Sequence, residues 1–170
     1  TFGETESYTT IHPNSWGYNP VVKNYHFNPQ RAKELVKSKI VLELASTPEL
    51  LNIAEEIKKQ LDSDIFEINT KVVTSTPEQF QLYLTSFSIP PDPDQYREWH
   101  STQSTNIGRG SDEKIDKLLE DGRVTYDQKQ RKSIYFDFQK TFAEELPALV
   151  LFHPSTFNLT RRSSQLLLIK

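Results

Sequence analysis

The side chains best equipped for chemistry crowd into one stretch, PPDPDQYREWHSTQ, from Pro90 to Gln103. Prolines alternate with aspartates, then Tyr96, Trp99 and His100 arrive together, and Gln103 and Asn106 follow in a run of hydroxyls and amides. Each proline fixes its own φ and pushes its predecessor towards extended backbone, so the elbow is stiff. Asp92-Pro93 reads as a cap followed by proline at the first helical position, opening a short helix from about Pro93 to Trp99. On that helix Tyr96 and His100 stand four apart and Tyr96 and Trp99 three apart, close enough to share a face. Rings on a rigid mount beside neutral hydrogen-bonding groups suit the capture of a polar small molecule. The same features fit a plainer role, in which Trp99 and Tyr96 plug the end of a sheet, Asp92 caps a helix, and Ser101 and Ser104 are solvated loop residues.

Catalytic chemistry finds little footing. His12, His26, His100 and His153 never fall at metal-ligand spacing on one helix, and no metal site is expected. There is no Gly-x-Ser-x-Gly elbow, and with Gly 5 in all, no glycine loop that would cradle a phosphate. Ser101 and His100 are adjacent, so on a helix their side chains diverge and cannot couple as nucleophile and base. With no cysteine, disulfides, thiolate metal sites and a cysteine nucleophile are excluded.

The chain of 170 residues is long enough for one ordinary domain, burying roughly 70% of the surface its unfolded form exposes. Apolar content is 35%, which suggests a wet surface or a piece cut from something larger. Net charge is -3 with both signs interspersed, so no basic stripe invites nucleic acid. No run approaches the roughly 20 apolar residues of a membrane span. Methionine is absent, so Thr1 is expected to be the edge of an excised fragment.

The elements that must position the elbow can be read from periodicity and caps. Residues 1–27 show neither helical nor strand period, and read as an extended lead-in anchored by Trp16, Tyr18 and Tyr25. Asn28-Pro29 opens a helix whose face carries Ala32, Leu35 and Val36. IVLELA, 40–45, is a strand, and Thr47-Pro48 opens a helix with Leu50, Ala54, Ile57 and Leu61 in phase. IFEINTKVV alternates, with Phe66, Ile68, Thr70 and Val72 on one side. Thr76-Pro77 repeats the helix start, and QLYLTSFSI, 81–89, reads as a third strand ending at the elbow. Strand and helix thus alternate through 40–89, which implies a mostly parallel sheet with flanking helices, and ligands bind beyond the carboxyl ends of such strands. Ser88, at the end of that third strand, joins the candidate contacts. Downstream, a helix capped by Ser111 closes near Gly122. A long helix follows with a stripe of Ile134, Phe138, Phe142 and Leu146, and ALVLF, 148–152, reads as a further strand. Residues 163–170 read as a tail or edge strand, Asn158 heads a glycosylation triplet, and Arg161 and Arg162 read as a solvated connector.

In order along the chain, YHFNPQRAKELV, PPDPDQYREWHSTQ, IDKLLEDGR and RKSIYFDFQKTFAEELPALVLFHP resemble the C-terminal lobe of the family 5 extracellular solute-binding proteins. These serve ABC importers and include oligopeptide- and dipeptide-binding proteins. The likeness covers nearly the whole chain and rests on the ordered set, since no single motif is decisive. It implies an α/β lobe of type II periplasmic-binding-protein fold spanning 28–162. A missing N-terminal lobe of the same protein would close over a peptide or other small polar solute, for delivery to an ABC permease in the membrane. The location implied is the periplasm, or the cell surface as a lipoprotein. The elbow would line the cleft, with Tyr96 and Trp99 stacking and His100, Gln103, Asn106 and Ser88 bonding the solute, with no cofactor. Peptide-binding members often carry an aspartate just before the Asp-Pro pair to hold the peptide's amino group. Here Ile89 or a neighbouring proline stands there, which puts free-amine peptides in doubt. A protein-docking domain with a decayed ligand site is the alternative, and a hydrolytic enzyme the remoter one.

Overall fold

A computed structural model describes residues 5–154, so Asn158, Arg161, Arg162 and the expected tail at 163–170 lie outside the described residues. The chain divides into two compact units. One is Asn24–Pro90; the other joins the residues up to Lys23 with those from Pro91 onward. The second boundary, between two prolines, falls inside the stretch that the sequence presented as one lobe.

Unit Asn24–Pro90 holds the parallel sheet. Its first helix, α1 (Pro29–Leu35), starts as expected, with Asn28 accepting a hydrogen bond from Arg31 N. The expected apolar face of α1 is not buried: none of its residues is, and Leu35 is 65% exposed. Strand β2 (Ile40–Ser46) is central, flanked by β3 (Phe66–Val72) and β4 (Leu82–Leu84), all parallel; β1 (Thr5–Glu6) belongs to the other unit. A 3-10 turn at Pro48–Leu50 leads into α2 (Leu51–Leu61). Ala54 of α2 packs with Leu44 and Ile68, and Leu42, Ile57, Leu82 and Leu84 complete this small core. On the opposite face of the sheet Lys71 pairs with Glu43 and Lys39 with Glu67, while Ala45 is buried.

Two expectations fail here. No helix follows Thr76-Pro77, because only a few residues separate that signal from β4, and so short a helix cannot repay nucleation. Phe80 instead packs its ring on Tyr83, centroids 5.5 Å apart. The strand expected at 81–89 is confined to Leu82–Leu84, which pair with Leu44–Ser46. Beyond Ser46 the chain of β2 turns into Thr47 and Pro48, so Thr85–Ile89 have no ladder left to join.

The other unit is helical, with a two-stranded antiparallel ribbon between β1 (Thr5–Glu6) and β5 (Phe152–His153). The strand expected at 148–152 is thus shorter, shifted and antiparallel, and Leu149 is 67% exposed. Short α3 (Tyr96–Trp99) precedes α4 (Glu113–Val124) and α5 (Gln128–Glu145). Asp112, not Ser111, caps α4 through Ile115 N, and Asp127 caps α5 through Gln130 N. Helix α4 ends at Val124, just past Gly122, and at Gly122 it packs so close to Tyr135 that a Cβ would stand 2.9 Å from Tyr135 Cζ. The buried side of α5 carries Tyr135, Phe138, Gln139 and Phe142, whereas Ile134 is half-buried and Leu146 is the left-handed cap before Pro147.

The core of this unit joins Ile11, Ile115, Leu119, Tyr135, Phe138 and Phe142. Each such apolar side chain contributes roughly 1.5–3 kcal/mol by leaving water. The lead-in is bound by a buried amide. Gln139 Oε1 accepts from Thr9 Oγ1 and Asn19 N, while its Nε2 donates to Gly17 O and Tyr135 O. Trp16 and Tyr18 anchor the lead-in on this core as expected, but Tyr25 lies in the other unit and is half exposed.

Candidate functional site

The elbow is built from two successive aspartate turns. Asp92 Oδ1 accepts from Asp94 N at 3.0 Å, and Asp94 Oδ1 accepts from Tyr96 N at 3.0 Å. Helix α3 is shorter than expected, and Asp92 does not cap it. Its carboxylate takes both terminal nitrogens of Arg131, at 2.7 and 2.6 Å, and this partner holds its pKa below the ordinary aspartate value. Pro93 is fully buried against Gly17, where a Cβ would meet the proline Cβ at 2.8 Å. Only a glycine admits that approach.

Each ring of the elbow has a protein partner. Tyr96 stacks on His100, centroids 4.1 Å apart, and the Arg123 guanidinium lies 4.5 Å from the Tyr96 ring centre. Arg123 Nε also reaches Asp94 Oδ2 at 3.1 Å. Trp99 sets its ring edge-on to Phe142 at 4.7 Å and donates its Nε1–H to Gln95 Oε1 at 3.0 Å. Gln95, fully buried, returns its Nε2–H to Thr10 O. Tyr96 and His100 therefore share a face as expected. Tyr96 and Trp99 both pack on the hydrophobic core.

The polar candidates are also engaged. His100 is 4% exposed, and its Nδ1 accepts from Thr102 N, which leaves Nε2 to carry the ring proton towards Glu120 Oε1, 3.4 Å away. Asn106 is buried and donates to Trp99 O, His100 O and Gly110 O, closing the loop that follows α3. Gln103, half-buried, donates Nε2–H to Thr102 Oγ1. Ser101 donates its hydroxyl to Asp116, not to His100, so no serine–histidine couple exists. Ser88 lies in the other unit, exposed, in the segment that follows β4. The expectation that a strand tip would present this elbow is overturned, because Ser86–Ile89 are not strand.

Gln95, Arg123, Arg131 and Asp116 are the residues that hold the site and that the sequence did not reveal. Their roles are long-range: Arg131 reaches Asp92 across 39 positions and Gln95 reaches Thr10 across 85. Only Arg131 left a signal, as a charge in the first turns of a helix whose next turn buries a tyrosine.

The fold is an α/β lobe of the periplasmic-binding-protein class. No family model matches the chain. Sequence comparison finds a probable di/tripeptide-binding protein 5 of Pseudomonas aeruginosa, 28% identical over 96% of this chain and 35% of its own length. Among solved structures, the oligopeptide-binding protein AppA from Bacillus subtilis, in complex with a nonapeptide, superposes with a TM-score of 0.79 at 21% identity, covering 89% of this chain and 37% of that one. The periplasmic binding protein DppA from Helicobacter pylori, in complex with the peptide STSA, gives 0.79 at 19% identity, covering 89% and 34%. The chain spans about a third of the length of the curated relatives it matches. These relatives are binding proteins, and the likeness is to the family of solute-binding proteins to which the ordered motifs pointed. Among the described residues no helix is long and apolar enough to cross a membrane.

Proposed function

We propose that this chain is one lobe of the solute-binding component of an ABC importer, which takes up a peptide or other small polar solute when a second lobe closes over it. The observation that carries this reading is a sequence likeness over 96% of the chain to a probable di/tripeptide-binding protein, joined to the shared fold. Lobe closure desolvates the solute between two surfaces, so half a site alone binds weakly. The full-length protein works outside the cytoplasm, in the periplasm or tethered to the cell surface by lipid, and hands its solute to a membrane permease.

In this reading Tyr96 and Trp99 form a rigid wall whose exposed edges meet the solute, while His100 and Asn106 mainly brace it. Gln103 Oε1 and the Ser88 hydroxyl remain candidates for direct hydrogen bonds. The engaged state of Trp99 Nε1, His100 and Asn106 favours a second reading, a docking domain whose ligand site has been filled by its own side chains. A thermal-shift panel on the full-length protein separates them, using di- to oligopeptides, oligosaccharides and metal chelates. A true solute raises the melting temperature in proportion to the logarithm of its excess over Kd. No shift with any member favours the docking domain.

A further inference from the structure

The histidines fall at no metal-binding spacing along the chain, yet the fold brings two of them together. His12 precedes a tight turn closed by Ser15 N donating to His12 O, and His153 lies in β5. Their ring centres stand 4.9 Å apart with planes inclined at 54°, neither stacked nor perpendicular. His153 is 7% exposed, and its Nε2 has no hydrogen-bond partner among the described residues. A buried imidazole nitrogen without a partner is costly, and such atoms call for an explanation.

We propose that His12 and His153 form a two-imidazole site for a late first-row divalent cation such as Zn2+ or Ni2+. An imidazole nitrogen binds such a cation at about 2.0–2.1 Å, which places it roughly 3.2 Å from the ring centre; two rings sharing one cation near the tetrahedral angle then stand about 5 Å apart. The observed 4.9 Å matches that separation. Imidazole is a donor suited to zinc, nickel and copper and not to magnesium or calcium.

Among the described residues no group of three or more His, Cys, Asp or Glu side chains could hold a metal. Water or donors of a bound solute therefore complete the coordination. His12 Nδ1 now accepts from Asn14 N at 3.1 Å, an exposed bond. Coordination through His12 Nε2 moves the ring proton to Nδ1 and gives up that bond, at a cost of about 0.5–1.5 kcal/mol. The cation would tie β5 to the turn that follows His12, two segments far apart in sequence.

The test is calorimetric titration of the full chain with ZnCl2 and NiSO4 at neutral pH, with MgCl2 as control. One equivalent of zinc or nickel is expected at micromolar Kd, none of magnesium, and weaker uptake near about pH 5.5, where imidazoles protonate. His12→Ala and His153→Gln are each expected to weaken uptake by roughly tenfold or more, as loss of one of two protein donors requires. His12 is only half-buried, so its variant reports even if replacing His153 disturbs folding. The Asn14 amide is expected to shift on zinc addition. Absence of uptake overturns the proposal, and so does uptake that His26→Ala or His100→Ala abolishes while His12→Ala leaves it unchanged.

Discussion

Asp92 and Arg131 meet through two parallel hydrogen bonds, at 2.7 and 2.6 Å, joining the proline elbow to α5. Arg131 is at the same time bonded to Gly122 O at 2.7 Å and to the Tyr135 hydroxyl at 3.1 Å, and its guanidinium lies over the Trp16 and Tyr135 rings. One side chain thus fastens the elbow, the end of α4, the lead-in and α5. A lysine offers no fork and no plane to stack, so Arg131→Lys is not conservative here.

Arg131→Lys is expected to destabilise by about 1–2 kcal/mol and Asp92→Asn by about 1 kcal/mol, the smaller value because the carboxylate is half exposed and screened. The folded pKa of Asp92 lies below the unfolded one, so its contribution is fully present above the unfolded value of 3.8 and is lost as pH falls through the folded value. Urea titrations across the acid range check both points: the wild type weakens below about pH 4, and Asp92→Asn flattens that limb.

Gly122→Ala tests the packing of α4 on α5. Helix propensity alone favours alanine by about 1 kcal/mol. The added methyl would stand 2.9 Å from Cζ of a tyrosine that is fully buried, so a net loss of about 1–3 kcal/mol is expected. Tyr135 is so enclosed that burial pushes its pKa up to about 12, the nearby Arg131 opposing that rise. Tyr135→Leu in the same chain is expected to remove most of the Gly122→Ala penalty in a double-mutant cycle. A plain stability gain from Gly122→Ala would contradict the close contact.

Gln139→Leu removes four hydrogen bonds at once and leaves the Thr9 hydroxyl proton, Asn19 N and Gly17 O without their partner inside the unit. A loss of about 2–4 kcal/mol is expected, and amide exchange is expected to rise first at Asn19. Gln139→Glu should cost as much, because a carboxylate cannot donate to Gly17 O.

His153 carries the pH dependence nearer neutrality. Burial first and His12 second lower its pKa, so below the unfolded value of 6.5 the unfolded chain binds a proton that the folded chain resists. Stability is therefore expected to fall as pH drops from about 6.5 until the folded group itself titrates. Thermal melts of the wild type and of His153→Leu between about pH 7 and pH 5 check this, and the variant should show the shallower slope.

Local signals foretold local structure. Asn28-Pro29 started a helix, the alternation at Phe66–Val72 made a strand, and IVLELA formed the central strand. The same threonine-proline signal opened only a 3-10 turn at Thr47, without a side-chain cap bond, but enough chain followed for α2 to start at Leu51; at Thr76 it opened no helix at all. The end of β4 was not legible because it depends on where its partner β2 stops. On α5 the expected stripe held at Phe138 and Phe142 but not at Ile134 and Leu146, and it missed Tyr135 and Gln139, the latter a core site that an apolar stripe cannot include. Tyr96, Trp99, His100 and Asn106 were legible as one constellation. Their bonds to Arg123, Gln95 and Gly110 were not, for those partners are brought in by the fold.

Calorimetric binding, run side by side on the full-length protein and on this 170-residue chain with one solute that raises the melting temperature, bears most directly on the receptor reading. Capture by two closing lobes requires micromolar or tighter binding by the full-length protein, binding by this chain weaker by about a hundredfold or undetectable, and loss of the full-length affinity by about tenfold in Trp99→Ala. Equal affinity of the two proteins, or no binding by the full-length protein to any peptide, oligosaccharide or metal chelate, would contradict it.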